Sequence, residues 1–244
     1  MKAKKQSYLR LAVLWSSLLL LPFLASSQEL TETRQFDSFD KIVATNGINI
    51  ILRKASEEKA EVKIENALLS DVITEVKNGT LKLRMRPQIN KELSVLVVVY
   101  YKNIKEITVS KGASLETQTV ILQNNLTLHA ATGGTIKAEI ECTDVKTSAS
   151  GGSAISLYGW AKRLEATANT KSNLYAQNLK ADKALIRAAT GAEMWVKPKD
   201  YFEAVANTGG IIYYTANPKQ MNQRVSSGGE IINKTKGFKG ELKS

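Results

Sequence analysis

The 244-residue chain has one cysteine, one histidine and four prolines. A single cysteine excludes a disulfide framework and any cysteine-ligated zinc site. A single histidine excludes a multi-histidine metal centre and makes a histidine-centred relay hard to assemble. Acids are the minority charge, 23 Asp+Glu against 34 Lys+Arg, for a net charge of +11. No dense Lys/Arg run lies beyond the N-terminus, so the basic excess is dispersed. It suits an envelope protein with a basic bias or one drawn to anionic glycans, lipopolysaccharide or an anionic membrane surface. Nucleic acid is not an expected partner. At 43% hydrophobic and 23% charged, the composition is that of ordinary globular material, neither disordered nor polytopic.

Long apolar runs are nearly absent. The one present, Leu11 to Leu24, has 14 residues and contains Pro22. A membrane span needs about 20. Basic residues from Lys2 to Lys5 precede the run and Ala25-Ser26-Ser27 follows it, the pattern of a cleaved signal peptide over residues 1–27. Cleavage leaves 217 residues from Gln28, with a charge of +7 once Lys2, Lys4, Lys5 and Arg10 are gone. No transmembrane span is then expected. Export also agrees with Cys142, which cannot form an internal disulfide.

What the sequence does have is a repeat. The segments beginning at Leu126, Val145, Leu164, Ala184, Phe202 and Met221 are separated by 19, 19, 20, 18 and 19 residues. A second column, Ile136, Ile155, Leu174, Met194, Ile212 and Ile231, keeps the same irregular steps. Small turn-forming tips lie between the columns, such as Ala131-Thr132-Gly133-Gly134 and Asn207-Thr208-Gly209-Gly210. Gly and Asn tolerate positive φ, so they permit sharp reversals. Apolar and polar residues alternate within each segment, as in Leu126-Thr127-Leu128-His129-Ala130, the half-buried strand pattern. A unit this short cannot hold a β-α-β crossover of about 30 residues. It fits one coil of a β-solenoid, each strand stacked on its counterpart about 4.8 Å below. A meander of hairpins would not need identical side-chain columns at this period.

The preceding region is β-rich but less regular. Strands are expected at 41–45, 48–54, 60–64, 73–77, 81–86, 93–101 and 104–110. Asn78-Gly79 marks a hairpin turn. One helical turn fits 67–71, and loops fit Asp37–Asp40 and Pro87–Asn90. These strands are expected to begin the solenoid and cap its end, since an open end exposes unpaired edges. The implied division is signal peptide 1–27, irregular β coils and cap 28–110, regular solenoid 111–235 and tail 236–244.

Chemistry is harder to find. His129 points outward by phase among Thr and Ser, as a solvated surface residue does. Glycoside hydrolysis needs two carboxylates across a bond. Among the outward acids Glu139, Glu165 and Glu203, the last two share a column but lie two coils apart, about 10 Å, with Leu185 between. That arrangement lacks a cleft, and no metal or cofactor site is legible. A clearer signal is the outward column one residue past the second apolar one: Lys137, Ser156, Tyr175, Trp195, Tyr213 and Ile232. Tyr175, Trp195 and Tyr213 should stack on successive coils, with Tyr158 one column over near Tyr175. Such a ladder can stack sugar rings, anchor a protein, or serve cross-strand packing. Lys137, Arg187, Lys197 and Lys234 are expected around it, which would suit an acidic glycan.

Phe36-Asp37-Ser38-Phe39-Asp40-Lys41-Ile42, then Asn46-Gly47-Ile48-Asn49-Ile50, then Val76-Lys77-Asn78-Gly79-Thr80-Leu81, followed by the Ser/Thr-Gly-Gly tips, appear in this order. Together they resemble the "putative auto-transporter adhesin, head GIN domain" family, whose name reflects the Gly47-Ile48-Asn49 tripeptide. The resemblance covers residues 36–235 and implies a right-handed parallel β-helix in the cell envelope or at its surface. The expectation is a non-enzymatic, adhesin-like module binding a glycan or cell-surface protein through Tyr158, Tyr175, Trp195 and Tyr213. A polysaccharide-active β-helix enzyme and a purely structural envelope protein are the alternatives. Self-association through the solenoid ends is a further option.

Overall fold

The structure is a computed structural model describing residues 30–86 and 94–236. The expected signal peptide, the Pro87–Asn90 loop and all but the first residue of the tail lie outside the described residues. Within them there are seventeen strands, one turn of 3-10 helix at Leu69–Asp71 and no α-helix.

The chain opens with β1 (Leu30–Gln35), β2 (Lys41–Thr45), β3 (Asn49–Lys54), β4 (Lys59–Glu65), β5 (Val72–Lys77), β6 (Thr80–Met85), β7 (Ser94–Tyr101), β8 (Glu106–Ser110) and β9 (Ser114–Thr117). Alternation sets the faces: β2 buries Ile42 and Ala44 and turns Lys41 and Val43 outward. Stacking does not follow chain order. β2 pairs in parallel with both β6 and β8, and β3 with both β7 and β9. The first coil in the chain is therefore the second in the stack. The expected Asn78-Gly79 hairpin joins β5 and β6, both turn residues having positive φ.

Antiparallel strands close this end. β5 covers β6, β4 pairs with β7, and β1 covers β4. The Arg34 guanidinium ties the two sides together, donating to Val72 O at 2.6 Å, Leu69 O at 2.8 Å and Thr74 Oγ1 at 3.2 Å. Glu32 holds it in place at 2.7 Å.

The regular part consists of β10 (Ile121–Ala131), β11 (Thr135–Ser150), β12 (Ala154–Ala168), β13 (Asn173–Ala188), β14 (Glu193–Ala206), β15 (Ile211–Tyr214), β16 (Gln220–Val225) and β17 (Glu230–Asn233). All these pairings are parallel, with coils about 19 residues apart. Both apolar columns are rungs of the ladder: Leu126–Val145–Leu164–Ala184–Phe202–Met221 and Ile136–Ile155–Leu174–Met194–Ile212–Ile231. The hairpin-meander alternative is thereby excluded. Each fully buried Leu or Ile of these columns contributes on the order of 1.5–3 kcal/mol from the apolar surface it removes from water. The Ala130–Ala149–Ala168–Ala188–Ala206 column keeps the walls close together beside each tip.

Every tip uses two successive residues of positive φ, for example Thr132 at 48° and Gly133 at 71°. Where the following residue is serine it bonds to the coil below: Ser153 Oγ donates to Ala130 O and Ser172 Oγ to Ala149 O, both at 2.8 Å. At the opposite side of each coil the strand bends, and the ladder skips a rung between Cys142↔Ala161 and Asp144↔Arg163. Gly159 enters this bend at φ 100°, where a Cβ would meet Ile140 O at 2.3 Å, so only glycine fits. The 20- and 18-residue steps have a local cause. Gln177 is bulged into β13, so Ser156↔Tyr175 is followed by Tyr158↔Asn178, and the extra length is recovered against β14.

Candidate functional site

Strand phase alone places the aromatic residues. Leu174, Met194 and Ile212 point inward, so the next residue on each coil must point out. Lys137, Ser156, Tyr175, Trp195, Tyr213 and Ile232 form one continuous run of rungs. The Trp195 and Tyr213 rings stack with centroids 4.2 Å apart and planes at 22°. Tyr175 occupies the rung beside Trp195. All three side chains are half-buried.

The register refines two expectations about this stripe. Tyr158 lies one column over from the Ser156↔Tyr175 rung, where the Gln177 bulge sets it opposite Asn178. Among the described residues, the expected basic surround is mostly drawn into other contacts or other rungs. Lys137 pairs with Glu116 at 3.1 Å, and Arg187 lies twelve residues past Tyr175 on the other arm of the same coil, paired with Glu203 at 3.7 Å. Lys197 stands on the rung of Lys180, beyond the bulge. Of these four, Lys234 meets the stripe, with Nζ 5.8 Å from the Tyr213 ring centre.

Acids line the ladder instead. The Trp195 indole donates to Glu193 Oε1 at 2.6 Å, which fixes the ring orientation. Burial, then the neighbouring Glu193 carboxylate, pushes the Tyr175 hydroxyl above its ordinary pKa. Burial, then Glu193 and Glu230, does the same for Tyr213. Glu193 and Glu230 were legible two residues before the aromatic column at the same spacing, but they fall where other coils place Thr135, Ala154, Asn173 and Ile211. The surface can therefore stack flat rings and accept hydrogen bonds from hydroxyl or amine donors.

The other candidates are not brought together. Glu165 and Glu203 do flank Leu185 on one column. Each is held by its own strand: Arg163 lies 3.6 Å from Glu165, and Tyr201 donates to Glu203 at 3.2 Å. Glu139 is exposed, and His129 stands between Thr108 and Ser148. Among the described residues, no three His, Cys, Asp or Glu side chains converge as a metal site would require.

The family model described as "Putative auto-transporter adhesin, head GIN domain" matches residues 38–218. The chain belongs to that family. Solved structures agree with the fold. A "putative adhesin" from Bacteroides fragilis superposes with TM-score 0.78 at 17% identity, over 85% of this chain and 98% of that one. A "putative lipid binding protein" from Parabacteroides distasonis gives 0.63 at 18%, over 84% and 96%. A "putative adhesin" from Parabacteroides merdae gives 0.61 at 16%, over 84% and 96%. A comparison with curated proteins finds no match. These identities are low enough that the neighbours speak for the β-solenoid alone. The head GIN domain match stops short of β16 and β17, so the last described coils lie outside it.

Proposed function

We propose that this head GIN domain is a non-enzymatic, adhesin-like module of the cell envelope, exported through its signal-like leader, that binds a glycan or protein through Tyr175, Trp195 and Tyr213. The observation that carries the reading is the Trp195–Tyr213 stack, continued by Tyr175 on the next rung. Three aromatic rings at the ladder step make a rigid platform, and rigid aromatics bind at small entropic cost. Glu193 and Glu230 beside the rings favour an uncharged sugar or a donor-rich protein surface over a polyanion. Tyr158 belongs to the platform only if a ligand spans the bulge. Among the described residues no helix is long and apolar enough to cross a membrane.

The half-buried state of the rings also suits a purely structural role, in which the stripe is a packing surface. An array of host and bacterial glycans, probed at low salt with the protein and with Trp195→Ala, separates the two. Binding lost in the variant supports the platform. No binding by either, with the variant destabilised, makes the stripe a packing surface.

A further inference from the structure

The bend opposite the tips carries a second outward surface that the aromatic ladder does not use. Leu122, Glu141, Trp160, Lys180 and Lys197 occupy successive rungs of one column there. Three residues further along, Arg163 and Lys183 share a rung of the next. Two rungs therefore set like charges against each other, Lys180 opposite Lys197 and Arg163 opposite Lys183. Like charges directly opposite on neighbouring strands destabilise a sheet. Glu165 offsets Arg163 at 3.6 Å. Lys162, Lys180, Lys183 and Lys197 are exposed and form no ion pair among the described residues. Of the nearby acids, Asp182 meets Lys199 at 3.4 Å and Asp200 meets Lys219 at 2.7 Å, while Glu141 and Asp144 lie one coil back, on the rungs of Trp160 and Arg163. Trp160 is 39% exposed, and its indole N–H has no acceptor among the described residues.

We infer that this bend binds an acidic polysaccharide strand, with a sugar ring over Trp160 and successive anionic groups on Lys180 and Lys197. The two ammonium groups rise along the stack at the ladder step of about 4.8 Å, so they present charge as a line rather than a patch. An anion between them would turn a repulsive rung into a bridged one. A membrane fits less well, because Glu141 separates Leu122 from Trp160 and puts an acid inside the one apolar pair of the column. This site does not depend on the Tyr175–Trp195–Tyr213 platform, whose acidic rim would repel the same ligand.

Polygalacturonate, neutral dextran and phosphatidylglycerol vesicles are the three probes, titrated into the protein at low and moderate salt. Polygalacturonate should bind and weaken as salt rises, vesicles should show no measurable affinity, and any binding of dextran, at the aromatic ladder, should not respond to salt. The double variant Lys180→Gln/Lys197→Gln should weaken that binding about tenfold. Trp160→Ala should weaken it as well, and Trp195→Ala should leave it unchanged. The lysine variant should melt no lower than the parent, because it relieves a repulsive rung; a structural role for the pair would lower the melting point. Failure of polygalacturonate to bind at low salt, equal binding by the lysine variant, or binding to vesicles alone would overturn the assignment. Binding of uncharged glycans at the aromatic ladder should be indifferent to the lysine variant, so the two sites fail separately.

Discussion

Phe202 and Met221 occupy the same inward column, one coil apart, yet Phe202 is 0% exposed and Met221 is 50% exposed. Ala206 and Val225 repeat the contrast, at 0% and 51%. The direction of a side chain is set by its own coil, but its burial needs the coil beyond. At the other end of the stack that covering is supplied by antiparallel strands and by Arg34. The first coils are consequently buried to the edge, with Leu81 and Leu83 of β6 at 0% and 1% exposure. A solenoid of this kind gains its stability from neighbours, so its two ends are not equivalent.

Truncating the shared column should expose the contrast most strongly. Phe202→Ala should cost about 3–5 kcal/mol through lost burial and the cavity left behind. Met221→Ala should cost less than about 1 kcal/mol. Urea unfolding measures both, and equal losses would mean that Met221 is covered. The next largest effect is at the closed end. Arg34→Met strands two carbonyls and a hydroxyl that it now satisfies, and should cost about 2 kcal/mol. At the open end, Lys219→Met removes a solvent-exposed ion pair with Asp200 and should not change the melting temperature measurably.

A smaller effect of opposite sign is expected inside the stack. Lys171 holds φ 55° at the tip position where Gly133, Gly152, Gly191 and Gly209 stand on other coils. Lys171→Gly should raise stability by about 0.5 kcal/mol, the relief of left-handed strain exceeding the added chain entropy. A loss on denaturant titration would show that the Lys171 side chain contributes more than its backbone strain costs.

Cys142 gives a chemical measure of the same contrast. It is buried in the middle of the stack, and burial pushes its thiol up to about 11. The folded state holds this proton more tightly than the unfolded chain. Its contribution to stability is therefore complete below the ordinary thiol range and is lost as pH climbs from there toward 11. In native protein at pH 8, Cys142 should resist a thiol reagent, whereas a cysteine placed by Met221→Cys should react at once. Rapid labelling of Cys142 would show that the middle of the stack opens easily.

The sequence and the structure agree best where the chain repeats. Both apolar columns, the Ala column and the aromatic column could be read because one coil predicts the next. The coil order of the first half could not be. β2 lies between β6 and β8, and nothing local to Lys41–Thr45 distinguishes that from a simple succession. β1 was missed because its Thr, Glu and Arg residues give a capping strand little apolar alternation. β9 was missed because it is only four residues long. The aromatic stripe was legible as a column, but its surroundings were not. Placing Tyr158 required the bulge at Gln177, and placing Arg187 required knowing where each coil bends.

The central claim is that the aromatic stripe exists for a ligand and not for the fold. The direct test is to melt the protein and Trp195→Ala side by side and titrate both with a glycan that the parent binds. The account predicts a variant that melts within a few degrees of the parent and has lost its affinity. A variant that melts far lower yet binds as the parent does would contradict it, and Trp195 would then be a packing residue.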